Sequence, residues 1–471
     1  MSTSFSLLSS IWKNTAPVLI IELRDKQDLL AYSAIFSSHT LPDCVEKNFS
    51  QEIDKKEKVF PSYQEIFQSK KVFYFFPWAD TLLEDRSEFI AGMKESFTYV
   101  SNDTNIASLL DVLMLASYTY DTFVTKKRSI HISYWTPQPT SPIDVELRQK
   151  CLNAVCRARD LVNLPPSLST PKDMVQSILS FPWKRTKVTV LDKKELTALG
   201  MNLLLAVSAG SDNDPYVVIF ERIIDNTLET YSLIGKWVTF DAGGIQIKPG
   251  DAMFDMKMDM AGAAGIVGVM EFLDSIDSLE CNIIWAVGFT ENMTGWSAYK
   301  PLDIYKAYNG TTVEIHHTDA EGRLLLADVM SYVEKNYNPG HIITMATLTG
   351  ACIYALWYDY AWVIWDDEAV ISQLELLSKD SLEKIWRLPL NDKMIKSLKA
   401  EIADIKNIAK TEKAGSSIGA AFLTYFQWNA KLTHLDIAGP AYRNDRLGYM
   451  LKWATGWGVM ILSDLIRSIR K

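Results

Sequence analysis

Hydrophobic and polar positions alternate differently in the two parts of the chain. Up to about residue 132 the pattern is weak and mixed. Short apolar runs at 17–23 and 71–76, rich in β-branched or aromatic residues, predict buried strands, and 106–122 predicts a helix. Three prolines within 137–142 disfavour helix and central strand and predict an extended linker. A helix over 143–161 follows and stops before Asn163-Leu164-Pro165-Pro166, and Ser169-Thr170-Pro171 offers a cap and a first-turn proline for the next. From Lys187 onward, strands expected at 188–191, 216–221, 230–235, 282–289, 312–316 and 341–348 alternate with helices at 193–205, 260–276, 322–336 and 416–428. A last helix runs from about 455 to the end. This predicts an α/β fold. A small N-terminal α/β domain (1–132) and a linker with connecting helix (133–168) precede a main domain (169–471) whose central, largely parallel mixed sheet is flanked by helices.

Composition adds bounds. Of 471 residues, 48% are hydrophobic and 22% charged, which suits a large core. The formal charge of −9 argues against a general nucleic-acid surface. The five cysteines are scattered with no CxxC pair, as in a reducing compartment. No positive stretch precedes the first apolar run, which Glu22 interrupts, and no run approaches the ~20 apolar residues of a membrane span. A cytoplasmic protein without membrane partners is expected.

Charge chemistry concentrates in two places, each expected to follow a strand. The first, GKWVTFDAGGIQIKPGDAMFDMKMD, holds Lys236, Asp241, Lys248 and Asp259 around Gly243-Gly244. The second, His317-Thr318-Asp319-Ala320-Glu321-Gly322-Arg323, holds two more carboxylates. Ligands of parallel sheets sit at the carboxyl ends of strands. Asp319 and Glu321 share a side if the backbone between them is extended. Four converging carboxylates would repel and raise one another's pKa values. Two divalent cations would cancel that charge, and a pair ~3.5–4 Å apart activates water and polarises a carbonyl. Carboxylates suit zinc, manganese or magnesium. Lys236 is the better candidate for a neutral amine ligand. Lys248 and Arg323 would stay cationic and stabilise an anion or oxyanion. One Asp after a strand is usually a turn or cap; two charged clusters at strand ends point to a site. The pair His316-His317 is not needed as ligand, and no HExxH occurs. Gly262 to Gly268 lacks GxGxxG and reads as close helix packing; the aromatic segment 354–365 reads as core or interface.

These blocks resemble the leucyl aminopeptidase (cytosol aminopeptidase) family of dinuclear metallopeptidases. GKWVTFDAGGIQIKP, MKMDMAGAAG and HTDAEGRLLLAD carry the likeness, supported by ARDLVNLPPS (158–167), ENM with AYKPLD, ATLTGA, WRLPL and LDIAG. It covers about 150 to 471 and implies that the main domain is a catalytic metallopeptidase domain. The resemblance implies that Lys236 and Asp259 bind the tighter metal, that Asp241 and Glu321 bridge both, and that Asp319 binds the more exchangeable one. Lys248 would contact the substrate carbonyl, and Arg323 would hold a bicarbonate acting as general base. Met256, Thr347, Gly350, Ala438 and Ala441 would line a small apolar pocket for a first residue of Leu or Met type, and Leu348 would give main-chain contacts. The expected activity is hydrolysis of N-terminal residues from peptide substrates by metal-activated water. The expected assembly is a homohexamer. A cysteinylglycine-type dipeptidase and a non-catalytic hexameric scaffold or DNA-binding accessory are the rival readings. Trp237, His317 and Trp457-Gly458 depart from the family's usual glycine, asparagine and Arg-Pro. Trp237 is expected to narrow the site or alter the backbone beside Lys236, and Trp457 to affect subunit packing.

Overall fold

The computed structural model describes residues 142–410, 413–444 and 452–470, with five strands and short stretches between 18 and 135. The chain forms two compact units, Met1–Gln149 with Arg446–Leu451, and Lys150–Asp445 with Lys452–Lys471.

The first unit holds β1 (Val18–Glu22), β2 (Tyr63–Phe67), β3 (Lys70–Phe75), β4 (Phe97–Val100) and β5 (Ile132–Trp135). Their order is β2-β3-β1-β4-β5; only β2 runs antiparallel to its neighbour. The strands expected at 17–23 and 71–76 are β1 and β3. Within 106–122 the described residues are helical at 111 and 114–117 and leave the helix from Tyr118 onward.

In the second unit an eight-stranded sheet carries the architecture. Its strands are β6 (Lys187–Leu191), β7 (Tyr216–Arg222), β8 (Thr230–Asp241), β9 (Asn282–Asn292), β10 (His341–Ala346), β11 (Tyr360–Trp365), β12 (Lys384–Arg387) and β13 (Lys431–Asp436). The order is β12-β11-β13-β10-β8-β9-β7-β6. The inner strands β13, β10, β8 and β9 are mutually parallel, and antiparallel pairings flank them on both sides. This is the mixed, centrally parallel sheet that the alternating pattern predicts. Strands β8, β9 and β10 are buried almost throughout, as strands covered on both faces must be.

The main helices are α1 (Pro142–Asn163), α2 (Ala261–Asp274), α3 (Glu321–Tyr337), α4 (Gly415–Leu423) and α5 (Val459–Ser468); α2, α3 and α4 pack against this sheet, and α5 packs on α2. Every residue of α2 is buried, and its glycines are the reason it fits. A Cβ on Gly262 would lie 2.4 Å from the Met345 carbonyl oxygen, and one on Gly268 2.9 Å from that of Ala154. From the strand side, a Cβ on Gly235 would lie 2.5 Å from Ala263 Cα. The glycine run is therefore a packing device, as its sequence suggests.

Several boundaries differ from expectation. The segment 193–205 is two helices, Lys193–Leu199 and Asn202–Ser208, because Gly200 takes a left-handed φ of 74° and caps the first. The segment 312–316 yields only Thr312–Glu314, which joins Ile304–Lys306 and Ile405–Lys406 in a separate three-stranded sheet. The helix expected over 416–428 ends at Leu423, followed by a 3-10 turn, Thr424–Phe426. The last helix begins at Val459, after Gly458 with φ 95°.

Candidate metal centre

Strand β8 does not stop at 235. It continues in parallel pairing with β9 to Asp241, with an irregularity between Val238 and Asp241, so Lys236 and Asp241 both lie on the strand rather than after it. Past it, Gly243 (φ 91°) and Gly244 (φ 67°) turn the chain back through left-handed conformations that only glycine adopts cheaply. Lys248 N–H then donates to the Ala242 carbonyl at 2.9 Å, which brings the Lys248 side chain beside Asp241. Asp259 closes the 3-10 turn Met256–Met258, just before α2. Asp319 lies in the turn before α3, and Glu321 is the first residue of that helix. The extended geometry expected for Asp-Ala-Glu is therefore absent: Ala320 has φ −126° and ψ 40°, and the helix opens at the glutamate. The two carboxylates converge nonetheless. A carboxylate at a helix N-terminus is also favoured by the exposed N–H groups there.

Oxygens of Asp241, Asp319 and Glu321 lie within 4.8 Å of one another. Lys236 Nζ is 2.6 Å from Asp259 Oδ1 and 2.8 Å from Glu321 Oε1, and donates to the Thr347 carbonyl at 2.9 Å. Lys248 Nζ is 2.8 Å from Asp241 Oδ2 and 2.5 Å from Asp319 Oδ1. Lys236, Asp241, Asp259 and Glu321 are buried, whereas Asp319 is partly exposed. Thus two ammonium groups face four carboxyl groups, and the formal charge of the cluster is negative before any proton is bound.

Burial and the charge of Glu321 push Asp241 up to about 7, against the pull of Lys248. Burial likewise holds Asp259 well above the usual carboxylate range, with Lys236 opposing. Asp319 is raised by burial and by Glu321. Glu321 goes the other way: burial alone would raise it, but Lys236 and Lys248 bring it to about 2. Burial would lower the two lysines, yet the surrounding carboxylates outweigh it and raise both. The neutral-amine role expected of Lys236 therefore requires added positive charge to displace its proton. Asp259 Oδ2 is buried with no hydrogen-bond partner, an unmet acceptor of the kind a cation satisfies. The donor set fits divalent ions.

The cluster forms one wall of a cavity of about 450 Å³, within the range of small-ligand sites. Met256, Thr347, Leu348, Gly350, Ala438, Lys248 and Arg323 also line it. Ala441 does not: it is buried in the turn after β13, its N–H bonded to the Ile437 carbonyl. Ala252, Met258, Thr349 and Ile353 line the cavity unanticipated. Arg323 donates from Nη1 to the Asn407 carbonyl at 2.9 Å, and its Nε is buried without a hydrogen-bond partner. Burial lowers its pKa to about 10, with Glu321 and Asp436 opposing, so it stays cationic at neutral pH.

Of the unusual residues, Trp237 is fully buried and packs on Phe289, with ring centroids 4.7 Å apart. Next to Lys236 on an extended strand it points to the opposite face, so it does not narrow the cavity. His317 Nδ1 accepts the Asp319 N–H at 3.1 Å. Trp457 is buried within its own unit.

Sequence reasoning missed the residues that hold the site in place. Asn292 and Thr318 are fully buried beside Asp241 and Asp319. Asp436, at the end of β13, accepts from Leu348 N, Thr349 N and Ala438 N, so it ties both apolar walls together. The available signal was position: both Asn292 and Asp436 end parallel strands at the edge where ligands bind.

Fold and site together define an α/β enzyme with a carboxylate-lined cleft at the carboxyl ends of its parallel strands. Residues 156–463 match the catalytic domain of the cytosol aminopeptidase family. The chain is 37% identical over 368 residues to a "Probable cytosol aminopeptidase" of Cenarchaeum symbiosum (strain A), covering 77% of this chain and 75% of that one. It is 38% identical to the protein of that name from Chlorobium limicola, covering 73% and 68%. Among solved structures it resembles "Bottromycin maturation enzyme BotP in complex with Mn", with TM-score 0.82, 24% identity and coverage of 96% and 99%. At that identity the likeness concerns the fold. The chain belongs to the cytosol aminopeptidase family, and as such it is an aminopeptidase of a metal-dependent family. Among the described residues no helix is long and apolar enough to cross a membrane.

Proposed function

We propose that this chain is a two-metal aminopeptidase that removes N-terminal residues of Leu or Met type from peptides. The observation that carries this reading is the convergence of Asp241, Asp259, Asp319 and Glu321 from separate segments, with two lysines supplying only part of the balancing charge. Lys236 and Asp259 would hold one ion and Asp319 the other, with Asp241 and Glu321 shared. Zinc, manganese or magnesium all suit such oxygen-rich sites. Bound there, two divalent cations supply an activated water and polarise the scissile carbonyl.

The chain's own residues do the rest. Lys248 stays protonated among carboxylates and faces the cavity, so it stabilises negative charge developing on the carbonyl oxygen. Arg323 offers a buried, unpaired Nε–H to an anion, and bicarbonate is the one proposed, acting as general base. Leu348 N–H is taken by Asp436, so its contribution to a bound peptide is the carbonyl. Met256, Met258, Ala252, Ile353 and Ala438 make an apolar wall that suits an unbranched or γ-branched aliphatic side chain. A charged first residue would lose its hydration there without a partner. Assembly into homohexamers and a cytoplasmic location are part of the same reading and rest on the family resemblance.

The test is a panel of aminoacyl anilides assayed with added Mn²⁺ or Zn²⁺. Leu and Met substrates are expected to exceed Lys and Glu substrates in kcat/KM by about 100-fold or more, the cost of stranding a charge in an apolar pocket. Equal rates on all four would remove the specificity reading. No hydrolysis of any with metals bound would remove the aminopeptidase reading of this site.

A further inference from the structure

Behind the carboxylates lies a buried amide, and we propose that Asn292 is a positioning residue that sets how Asp241 and Asp319 meet the cations. The inference rests on the two-metal reading above. Asn292 closes β9 directly opposite Asp241 in the parallel pairing and is fully buried. Its Nδ2 donates to Asp241 Oδ1 at 2.8 Å and to the Thr318 carbonyl at 3.0 Å. An amide nitrogen carries two hydrogens, so both bonds form at once. The reverse orientation would set the amide oxygen against two acceptors, so the chemistry fixes the orientation.

Consider what this does to the two carboxylates. Asp241 Oδ1 also accepts the Gly243 N–H at 2.9 Å. With two donors on Oδ1, the carboxylate is pinned, and Oδ2 is the oxygen turned toward Lys248. Thr318 directly precedes Asp319, and its carbonyl also accepts the Tyr299 hydroxyl at 2.5 Å. Its own hydroxyl donates to the Gly243 carbonyl at 2.7 Å. One amide thus spans the end of a strand and the turn that presents Asp319. A Cβ on Gly244 would lie 2.9 Å from Asn292 Oδ1, so the far end of the amide is walled in as well.

The experiment strips the full chain of metal and titrates it with Mn²⁺ alone, comparing wild type with N292A, N292S and N292D. Metal-free melting temperature is measured in parallel. N292A is expected to bind Mn²⁺ about 10-fold more weakly and N292D about 100-fold more weakly, the range seen when partners of metal-binding groups are lost. N292S keeps one donor and should fall between wild type and N292A. A purely structural asparagine would lower the metal-free melting temperature and leave the Mn²⁺ affinity of the folded protein within about threefold of wild type, outside the usual effect of such partners. That result would overturn the proposal. So would failure of all three variants to fold, which would make Asn292 a folding residue. Wild type that takes up no Mn²⁺ would instead overturn the two-metal reading.

Discussion

Lys248 separates a binding role from a chemical one. It touches Asp241 and Asp319 but, as an ammonium held protonated by carboxylates, is not proposed as a ligand. Lys248→Ala should therefore lower kcat by ~10²–10³-fold, the usual cost of losing an oxyanion partner. Metal content should be unchanged. Rapid-mix or steady-state kinetics beside metal analysis checks both, and loss of metal with little loss in kcat per bound metal would reverse the assignment. Asp259→Asn should act oppositely, because it weakens the acceptor that Lys236 and Thr347 share. The expectation is roughly 10-fold or greater loss of Mn²⁺ affinity, read by titration of the metal-free chain. At this scale the charged residues were legible in the sequence, since hydrolysis at a metal pair demands carboxylates and cations. Asn292, Thr318 and Asp436 were not legible. Their roles consist of which backbone or carboxylate atom they reach, and that depends on strand pairing no single segment reveals.

At the scale of elements, the contact of α2 with β8 and β10 matters most, because Lys236 and Asp259 flank it. Gly262→Ala would drive a methyl into the Met345 carbonyl and should destabilise the fold by ~1–3 kcal/mol, as overpacking does. A shift in urea midpoint without a change in slope would show it, and an unchanged midpoint would mean that the helix can retreat. The sequence pattern located the core strands well because β8, β9 and β10 each contain a mostly apolar stretch, Leu233-Ile234 in β8, Ile283 to Phe289 in β9 and Ile342 to Ala346 in β10. It missed β11, β12 and β13 for physical reasons. Strand β13 (KLTHLD) buries Thr433 and His434, and His434 is accommodated by pairing with Thr344 Oγ1 at 2.8 Å, so it looks polar while lying inside. Strand β11 is aromatic enough to resemble an interface, and β12 is short. The helix boundaries that slipped, at Gly200 and Gly458, are glycines with left-handed φ, whose conformation is decided by the turn they close.

For the molecule as a whole, stability should carry a pH signature away from the metal centre. His341 opens β10, contacts the buried Asp367 through Nδ1, and lies 2.9 Å from Glu229 through Nε2. Burial alone would lower its pKa, but Asp367 and Glu229 together raise it. The folded state thus favours the protonated ring. That contribution is fully present below the unfolded value of ~6.5 and is lost as pH rises through the higher folded value. Metal-free wild type should therefore lose stability relative to H341Q as pH rises above that range, measured by urea unfolding at several pH values. A constant difference would remove the histidine from the account. The α/β class, the central parallel sheet and the place of the site at strand ends were legible from periodicity and from family blocks. The extent of β8 was not, because its polar, functional end breaks the apolar pattern that marks strands.

The most direct test of the central claim is metal content and leucine-anilide hydrolysis on one purified sample, metal-free and after loading with Mn²⁺ or Zn²⁺. About two ions per chain and activity that rises with loading are expected. Full activity in the metal-free chain, or no metal uptake under any condition, would contradict that claim.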